Sequence, residues 1–293
     1  MSSRAPAWFE QKYIAGVTHR MQSQGWLLKP ALTAPTEIKG NIAIWKRAAS
    51  GEAQIASDAI EDASAMNLDR DTVQATMVDY EANDYIRKRD LEKMSENEQQ
   101  VTQQSGAMAL GRRFDRVIMG VMDTAAGAIA TVGDGSVAIA PTDLLTAQQQ
   151  IFDEGSGSYQ YWAVIPSMFM MQLELYREFS SSDFVSDAYP LLKQIGARRW
   201  RGINVIPLPA HATNTNKNFF NIPAGGQLDG YMWVDGTLGF ASSNSLESRI
   251  DWVVEKKAWF ATNDMSICGQ VILPEGIKRL RFKSNAALSR PTP

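Results

Sequence analysis

The sequence predicts an α+β fold that is organised around one long helix. A proline-free run from Tyr85 to about Met122 begins with charged residues, passes through a polar middle and ends apolar, which is typical of one helix in two environments. The C-terminal third consists mostly of short apolar runs separated by turn residues, which indicates strands. The first forty residues are broken by glycine and proline, yet they carry four aromatic side chains. These observations predict an arm, a long helix and a strand-rich end.

The N-terminal arm comprises residues 1–40. Residues 8–21 fit a short amphipathic helix, and we expect the rest of the arm to be extended. Its aromatic content is too high for a disordered tail. Because the arm has little core of its own, these side chains must be buried on the chain's own body or on a neighbouring subunit. The candidate interface residues of the arm are Trp8, Phe9, Tyr13 and Trp26.

An extended two-stranded loop is predicted for residues 41–84. The outgoing strand begins at Ile42, and the returning strand alternates apolar residues at Val73, Ala75 and Met77. Two strands with few large apolar residues are only marginally stable alone. We therefore expect the extended loop to lie across another surface.

The long helix follows directly. At a rise of about 1.5 Å per residue, the run from Tyr85 to Met122 would span roughly 55 Å, which exceeds the diameter of a small domain. A coiled coil is the usual explanation of such a length, but the heptad seam fails at Glu98, Ser105 and Arg112. We expect a first half that is solvated or faces other subunits and a second half that is buried in a domain.

Helix and strand signals alternate in the middle of the chain. The predicted elements are a glycine-rich bend at 127–135, a helix at 141–152, a strand at 163–165, a methionine-rich helix at 166–175, a helix at 182–195 that a proline bends, a strand at 202–207 and a polar loop at 210–221.

The C-terminal third is predicted to be mostly strand. Its elements are strands at 231–234 and 238–241 around a turn, a long strand or strand pair at 248–262, and strands at 268–273 and 277–282. Alternation within the long strand would place Ile250, Trp252 and Val254 on one face.

Composition excludes several functional classes. With 44% hydrophobic and 21% charged residues, the 293-residue chain is a folded soluble protein for which two lobes are the default. One cysteine and two histidines allow neither an intrachain disulfide nor the usual zinc site. No apolar run is long enough to span a membrane, and the N-terminus lacks a signal-peptide core. We expect a protein that is made and kept in a cytoplasm-like compartment.

Charge is distributed unevenly. Residues 52–98 contain thirteen acids and five bases, a local balance of −8, whereas residues 188–228 contain bases and no acid. The net charge of −3 gives no overall case for nucleic-acid binding. An acidic limb and a basic patch in one chain favour self-association between copies, with ordinary solvated surface as the alternative. The charged candidate interface residues are Glu52, Asp58, Glu61, Asp62, Asp69, Asp71, Arg87, Arg198, Arg199 and Arg201.

Catalytic motifs are absent from the sequence. It contains no G-x-x-x-x-G-K-[ST] phosphate loop, no dinucleotide-binding G-x-G-x-x-G and no G-x-S-x-G nucleophile elbow. His211 lies in a polar loop, where an exposed, non-catalytic histidine is expected. Cys268 precedes an apolar run and is predicted to be a buried, inert thiol. We predict no catalytic residue, no metal site and no cofactor, although a pair of carboxylates could act without a motif.

Several local patterns, in their order along the chain, point to a known family. They are Gly106–Leu110 with Arg113–Arg116 in the long helix, Trp162–Pro166 before a helix, Ile195–Gly196 followed by Arg201–Val205, and Ser248–Trp252 near the end. With the aromatic arm and the extended loop before the helix, the chain resembles the major capsid (coat) proteins of tailed bacteriophages, whose fold is shared with the herpesvirus capsid floor. The resemblance covers nearly the whole chain.

The resemblance implies a division into four regions. Residues 1–40 would be the N-terminal arm and 41–84 the extended loop. Residues 85–155 and 236–293 would form the peripheral domain with its spine helix, and residues 156–235 the axial domain.

The resemblance also implies the function and the partners. Pentamers and hexamers of the chain would form the icosahedral head shell of the virion, a structural and non-enzymatic role. The shell would enclose double-stranded DNA with weak, non-specific contact. No scaffolding domain precedes the arm, which implies a separate scaffolding protein; a portal is also implied, and a decoration protein stays open. Assembly would take place in the host bacterial cytoplasm.

Three alternatives stay open at this stage. One is a nanocompartment shell of the same fold, and another is an α/β hydrolytic enzyme with an unrecognised site. The third is a tail or portal-associated structural protein, which would form rings or tubes without a closed shell.

Overall fold

The computed structural model describes residues 25–51, 53, 68–87, 98–155, 160–176, 179, 198–210, 218–220, 226–242 and 247–284. The predicted helices at 8–21 and 182–195, and most of the polar loop at 210–221, lie outside these residues. Within the described ranges the chain forms helices α1 (Glu98–Thr124), α2 (Pro141–Asp153) and α3 (Ser167–Glu174) together with fourteen β-strands. None of these helices is long and apolar enough to cross a membrane.

The chain divides into two compact units. The first contains residues 1–27, 78–116 and 242–267, and the second contains residues 28–77, 117–241 and 268–293.

The first unit is built on the long strand β13 (Ala258–Val271). One edge of β13 pairs antiparallel with β12 (Glu247–Val253), and the other edge pairs antiparallel with β4 (Val78–Glu81) and β5 (Asp84–Arg87). Residues 248–262 thus form a strand pair, which was one of the two predicted arrangements.

Helix α1 contacts the sheet of the first unit closely at Gly106. A Cβ atom at Gly106 would lie 2.2 Å from Nδ2 of Asn263, so only glycine fits there without movement. Asn263 is fully buried, and its Nδ2 donates to the carbonyl of Ala82 at 3.0 Å. Its Oδ1 has no hydrogen-bond partner among the described residues.

The second unit contains a six-stranded mixed sheet with the order β6-β14-β10-β7-β9-β8. These strands are β6 (Ala130–Val132), β7 (Tyr161–Pro166), β8 (Arg198–Trp200), β9 (Ile203–Leu208), β10 (Gln227–Val234) and β14 (Ile277–Lys283). The pairs β6–β14 and β7–β9 are parallel, and the other pairs are antiparallel. The apolar runs at 161–166 and 231–234 are almost entirely buried, as expected for central strands of a sheet that is covered by helices.

Two helices of the second unit begin as the sequence predicts. Helix α2 has a proline at its first position, and the carboxylate of Asp143 accepts the backbone N–H of Ala140 at 2.8 Å, which is the capping interaction expected there. Helix α3 begins after Pro166, and Phe169, Met170 and Leu173 are buried. The methionine-rich helix therefore contributes to the core, although two of its methionines are exposed.

The root of the extended loop belongs to the second unit. Strands β1 (Glu37–Lys39), β2 (Ile42–Ala48) and β3 (Arg70–Thr76) form an antiparallel sheet in that order. This confirms the predicted outgoing and returning strands. The apolar cluster beneath them contains Ala43, Trp45, Met77, Ala241, Cys268 and Ile272, with strand β11 (Leu238–Ser242) beside it. Val73 and Ala75 of β3 are half-buried between exposed neighbours, and Met77, which follows the strand, is buried, in agreement with the predicted alternation.

Burial along helix α1 agrees with the prediction that its C-terminal half is buried. Leu110, Phe114, Ile118, Met119 and Met122 are all at most 2% exposed. The first described side chains of the helix, residues 101–109, are half-buried or exposed.

Three predictions are wrong at the level of elements. Tyr85 lies in β5, because residues 84–87 pair with residues 258–261 far along the chain. The helix is described from Glu98 to Thr124, and these 27 residues span about 40 Å. The glycine-rich bend contains β6, which adds a parallel strand beside β14. Val254 lies in the turn that joins β12 to β13 and is 73% exposed, so it does not share a strand face with Ile250 and Trp252.

Candidate assembly surface

Among the described residues, neither a metal site nor a reactive thiol is formed. No group of three or more His, Cys, Asp or Glu side chains in this part of the chain could hold a metal ion. Cys268 is 5% exposed, and burial raises the pKa of its thiol. This confirms the prediction of a buried thiol, since a raised pKa keeps the nucleophilic thiolate scarce.

The outer part of the loop root carries an ion pair in which two N–H groups of an arginine share one carboxylate oxygen. Arg47 on β2 lies directly opposite Asp71 on β3, and Nε and Nη2 of Arg47 donate to Oδ2 of Asp71 at 3.2 and 2.6 Å. Hydrogen bonds from Arg47, and then from the backbone N–H of Thr72, hold the pKa of the Asp71 carboxyl below its usual range. Nη1 of Arg47 also donates to the carbonyl oxygen of Ile272 at 3.4 Å.

A tight hairpin displays the predicted basic residues. Strands β8 and β9 are joined by Arg201 and Gly202, whose φ angles of 46° and 83° suit a two-residue hairpin turn. Arg199 and Arg201 are exposed, whereas Trp200 is buried. The guanidinium carbon of Arg201 lies 5.6 Å from the ring centroid of Trp200, within cation–π range. This basic hairpin (residues 198–208) therefore presents two guanidinium groups at one end of the six-stranded sheet.

The last residues of the arm are fixed on helix α1 of the same chain. The ring centroids of Trp26 and Phe114 are 4.8 Å apart, and the backbone N–H of Leu27 donates to Oδ2 of Asp115 at 3.3 Å. Gly25 has a φ of 75°, and a Cβ there would lie 2.0 Å from the carbonyl carbon of Gly111. The aromatic side chains of the arm were expected to be buried either on the chain's own body or on a neighbouring subunit. Trp26 packs on the chain's own body.

The first unit carries an aromatic surface that sequence reasoning missed. Tyr85 is 44% exposed and stacks on Phe260 at 4.5 Å, and Nζ of Lys256 lies 4.1 Å above the Tyr85 ring. On the opposite face of the sheet, Trp252 is 38% exposed and packs edge-on against Trp259 at 5.3 Å. The sequence shows these aromatic residues but not their pairing, because β5 and β13 are more than 170 residues apart.

The other predicted interface residues are placed as follows. Asp69 and Arg87 are exposed, in the loop root and in β5 respectively, and Arg87 is opposite Ala258 rather than on the helix. Arg198 is the first residue of β8. The candidates that lie outside the described residues are Trp8, Phe9, Tyr13, Glu52, Asp58, Glu61 and Asp62.

Comparison with known proteins decides the family. A family model described as phage capsid protein matches residues 5–284. The chain belongs to the phage capsid protein family. No curated protein matches the sequence.

Solved structures show that this capsid protein has the fold of phage capsid shells. The capsid structure of cyanophage P-SCSP1u matches with a TM-score of 0.68 at 13% identity, covering 94% of each chain. The capsid of Ralstonia phage GP4 matches with a TM-score of 0.68 at 9% identity over 100% of both chains. The SrpI encapsulin of Synechococcus elongatus PCC 7942 matches with a TM-score of 0.65 at 11% identity, also over 100% of both chains. The predicted α+β fold of tailed-phage capsid proteins is thereby confirmed.

Proposed function

We propose that this protein is the major capsid protein of a tailed bacteriophage. Its copies would assemble into pentamers and hexamers and close an icosahedral head shell around double-stranded DNA. The family match over residues 5–284 carries the proposal, supported by the full-length likeness to capsid shells. Head-to-tail contacts between copies generate closed rings when their rotation closes, which is the symmetry that pentamers and hexamers need.

The proposed division of the subunit follows the family pattern. Residues 1–40 form the N-terminal arm, 41–84 the extended loop, 85–155 with 236–293 the peripheral domain, and 156–235 the axial domain. The two strands at the loop root and the long helix that begins at Glu98 support this arrangement.

Contacts between subunits combine charge with apolar burial in this proposal. The acidic side chains of the extended loop face the basic hairpin of a neighbour, where Arg199 and Arg201 are exposed. Each exposed pair contributes at most about 1 kcal/mol. Charge therefore sets the register, while Trp8, Phe9 and Tyr13 of the arm supply most of the affinity. Repetition over many copies stabilises the shell.

The proposed partners are those that shell assembly requires. A separate scaffolding protein and a portal assist closure in the host bacterial cytoplasm, and the net charge of −3 limits contact with DNA to weak, non-specific binding. The role is structural and non-enzymatic.

A nanocompartment shell is the second candidate, since the encapsulin likeness also covers 100% of both chains. Particle contents separate the two functions. DNA-filled shells purified from phage-infected cells would support the capsid function. Particles that retain a cargo enzyme, encoded beside a single shell gene, would support the nanocompartment.

The charge contacts are tested by reversal and rescue. Arg199→Glu with Arg201→Glu should abolish assembly without unfolding the subunit, and Glu61→Lys with Asp62→Lys in the same chain should restore it. Sedimentation separates shells from subunits, and circular dichroism reports folding. Lys283→Glu, at an exposed base at the end of β14, is the matched control and should assemble normally. Unchanged assembly of the double reversal would refute the contact.

A further inference from the structure

Arg47 lies near the end of β2, the outgoing strand of the extended loop. Along β2, the side chains of Ala43 and Trp45 are buried, and Arg47 is the next residue on the same face. It is the first position on that face where the sheet emerges from the apolar cluster. Beyond Ala48 a segment of 21 residues, 49–69, connects β2 to β3. The direction of β2 at Arg47 therefore sets where this segment begins.

The guanidinium of Arg47 joins three parts of the chain. Nε and Nη2 bind Asp71 on the returning strand at 3.2 and 2.6 Å, while Nη1 reaches the carbonyl of Ile272, which does not belong to the loop, at 3.4 Å. The planar guanidinium fork can hold both acceptors at once, which a single ammonium group cannot. The strands are thereby tied to each other and to a fixed point outside the loop.

The fixed point is firmly held. Ile272 is 6% exposed and belongs to the apolar cluster beneath the loop root, and its N–H donates to the carbonyl of Thr237 at 2.8 Å. The hydroxyl of Thr237 donates in turn to the carbonyl of Val234, the last residue of β10, at 2.7 Å. The carbonyl that Arg47 binds is thus connected to the six-stranded sheet.

The ion pair itself is not placed to stabilise the fold. The side chains of Arg47 and Asp71 are 39% and 59% exposed, and exposed ion pairs contribute little to stability because water and salt screen them. Met77 and Trp45 already bury the root of the loop. The two hydrogen bonds to Asp71 and the third to the carbonyl of Ile272 instead fix the orientation of the two strands relative to Ile272.

We propose that Arg47 is a positioning residue for assembly, which sets the direction in which the extended loop leaves the subunit. This inference rests on the proposed function. It reassigns Asp71, which was predicted to contact a neighbouring subunit: Asp71 holds Arg47, and the contact with the neighbour is made by the acidic residues between the two strands. The partner surface of the loop is a second copy of this chain.

The test compares assembly with subunit stability. In Arg47→Gln, shell yield should fall several-fold while the melting temperature of the unassembled subunit moves by less than about 2 °C, as expected for an exposed group. Lys39→Gln is the matched control, since it removes the exposed Lys39–Glu37 ion pair of the same sheet, and should assemble normally. A variant Arg47→Gln that assembles like the wild type overturns the proposal. So does a variant that fails to fold, because Arg47 would then belong to the core.

A charge swap separates positioning from simple strand pairing. In Arg47→Asp with Asp71→Arg the ion pair between the strands is restored, but a carboxylate now faces the carbonyl of Ile272. The swapped variant should remain defective, and Arg47→Lys should recover part of the yield. Full recovery in the swapped variant overturns the role of Ile272. If the wild-type protein forms no shells at all, the proposed function fails. If the wild type forms shells and the Arg47 variants form them equally well, only the inference about Arg47 fails.

Discussion

Trp45 is buried at the root of the extended loop. Replacing it changes the free energy of unfolding through two opposing effects. The side chain is 2% exposed and lies in the apolar cluster with Ala43, Met77 and Ile272. Its indole N–H is also buried and has no hydrogen-bond partner among the described residues. The ring stabilises the fold by packing, while the unpaired N–H carries a penalty.

The Ala variant should lose the larger effect. Removing a buried Trp side chain costs about 3–5 kcal/mol, and removing an unsatisfied buried donor relieves about 1–3 kcal/mol. We therefore expect Trp45→Ala to lower the free energy of unfolding by about 2 kcal/mol, and the melting temperature by roughly 4–8 °C.

Replacement by phenylalanine separates the two effects. Trp45→Phe loses about 1–2 kcal/mol of packing and relieves the same penalty of about 1–3 kcal/mol. Its free energy of unfolding should therefore lie within about 1 kcal/mol of the wild type. Urea titration of the unassembled subunit, followed by fluorescence and circular dichroism, measures both variants. A loss of about 1–2 kcal/mol in Trp45→Phe together with about 3–5 kcal/mol in Trp45→Ala would refute the reasoning, since packing alone would then decide both outcomes.

Further predictions concern the helix, the strand that it contacts and one half-buried acid. Phe114→Ala should cost about 3–5 kcal/mol in calorimetry of the subunit, whereas the matched change at the 54% exposed Phe152 should cost less than about 1 kcal/mol; equal losses would contradict the burial pattern. Gly106→Ala should destabilise the subunit despite the better helix propensity of alanine, because the new Cβ meets Asn263, and Asn263→Ala should remove that effect in a double-mutant cycle. Burial is the main cause that raises the pKa of the Asp123 carboxyl, so its protonation supports folding at acid pH. That support is lost as pH rises through the raised folded-state pKa, and Asp123→Asn should flatten this part of the pH profile of unfolding; an unaltered profile would contradict the assignment.

Local signals predicted many of the described elements well. Pro141 with Asp143 two residues later marked the start of α2, and the apolar runs of β7, β9 and β10 marked buried strands. Alternation in β3 identified the returning strand of the loop. In each case the side chains that carry the signal also make the local interaction, so a short window contains the information.

Pairing between distant segments could not be predicted in the same way. The run from Asp84 to Arg87 has a charged, helix-compatible sequence, but it forms a strand because β13 offers an open edge. Strand β13 is fourteen residues long, but the sequence predicts two separate strands in this region. The polar residues 262–266 interrupt the apolar pattern there. Tertiary contacts override local preference at both places.

The sequence predicted which charged residues belong to the candidate surface, but not how they are arranged. Sequence reasoning identified Arg199, Arg201 and Asp71 as charged candidates. It could not show that Arg47 is opposite Asp71, because that requires the register of β2 and β3. The aromatic pairs around Tyr85 and Trp252 depend on registers of the same kind.

The measurement that tests the central claim most directly is electron cryo-microscopy of the purified, assembled protein. The account predicts closed icosahedral particles built from pentamers and hexamers of this chain, with the extended loop of each subunit lying on a neighbour. A compact monomer, or open rings and tubes under every assembly condition, would contradict it.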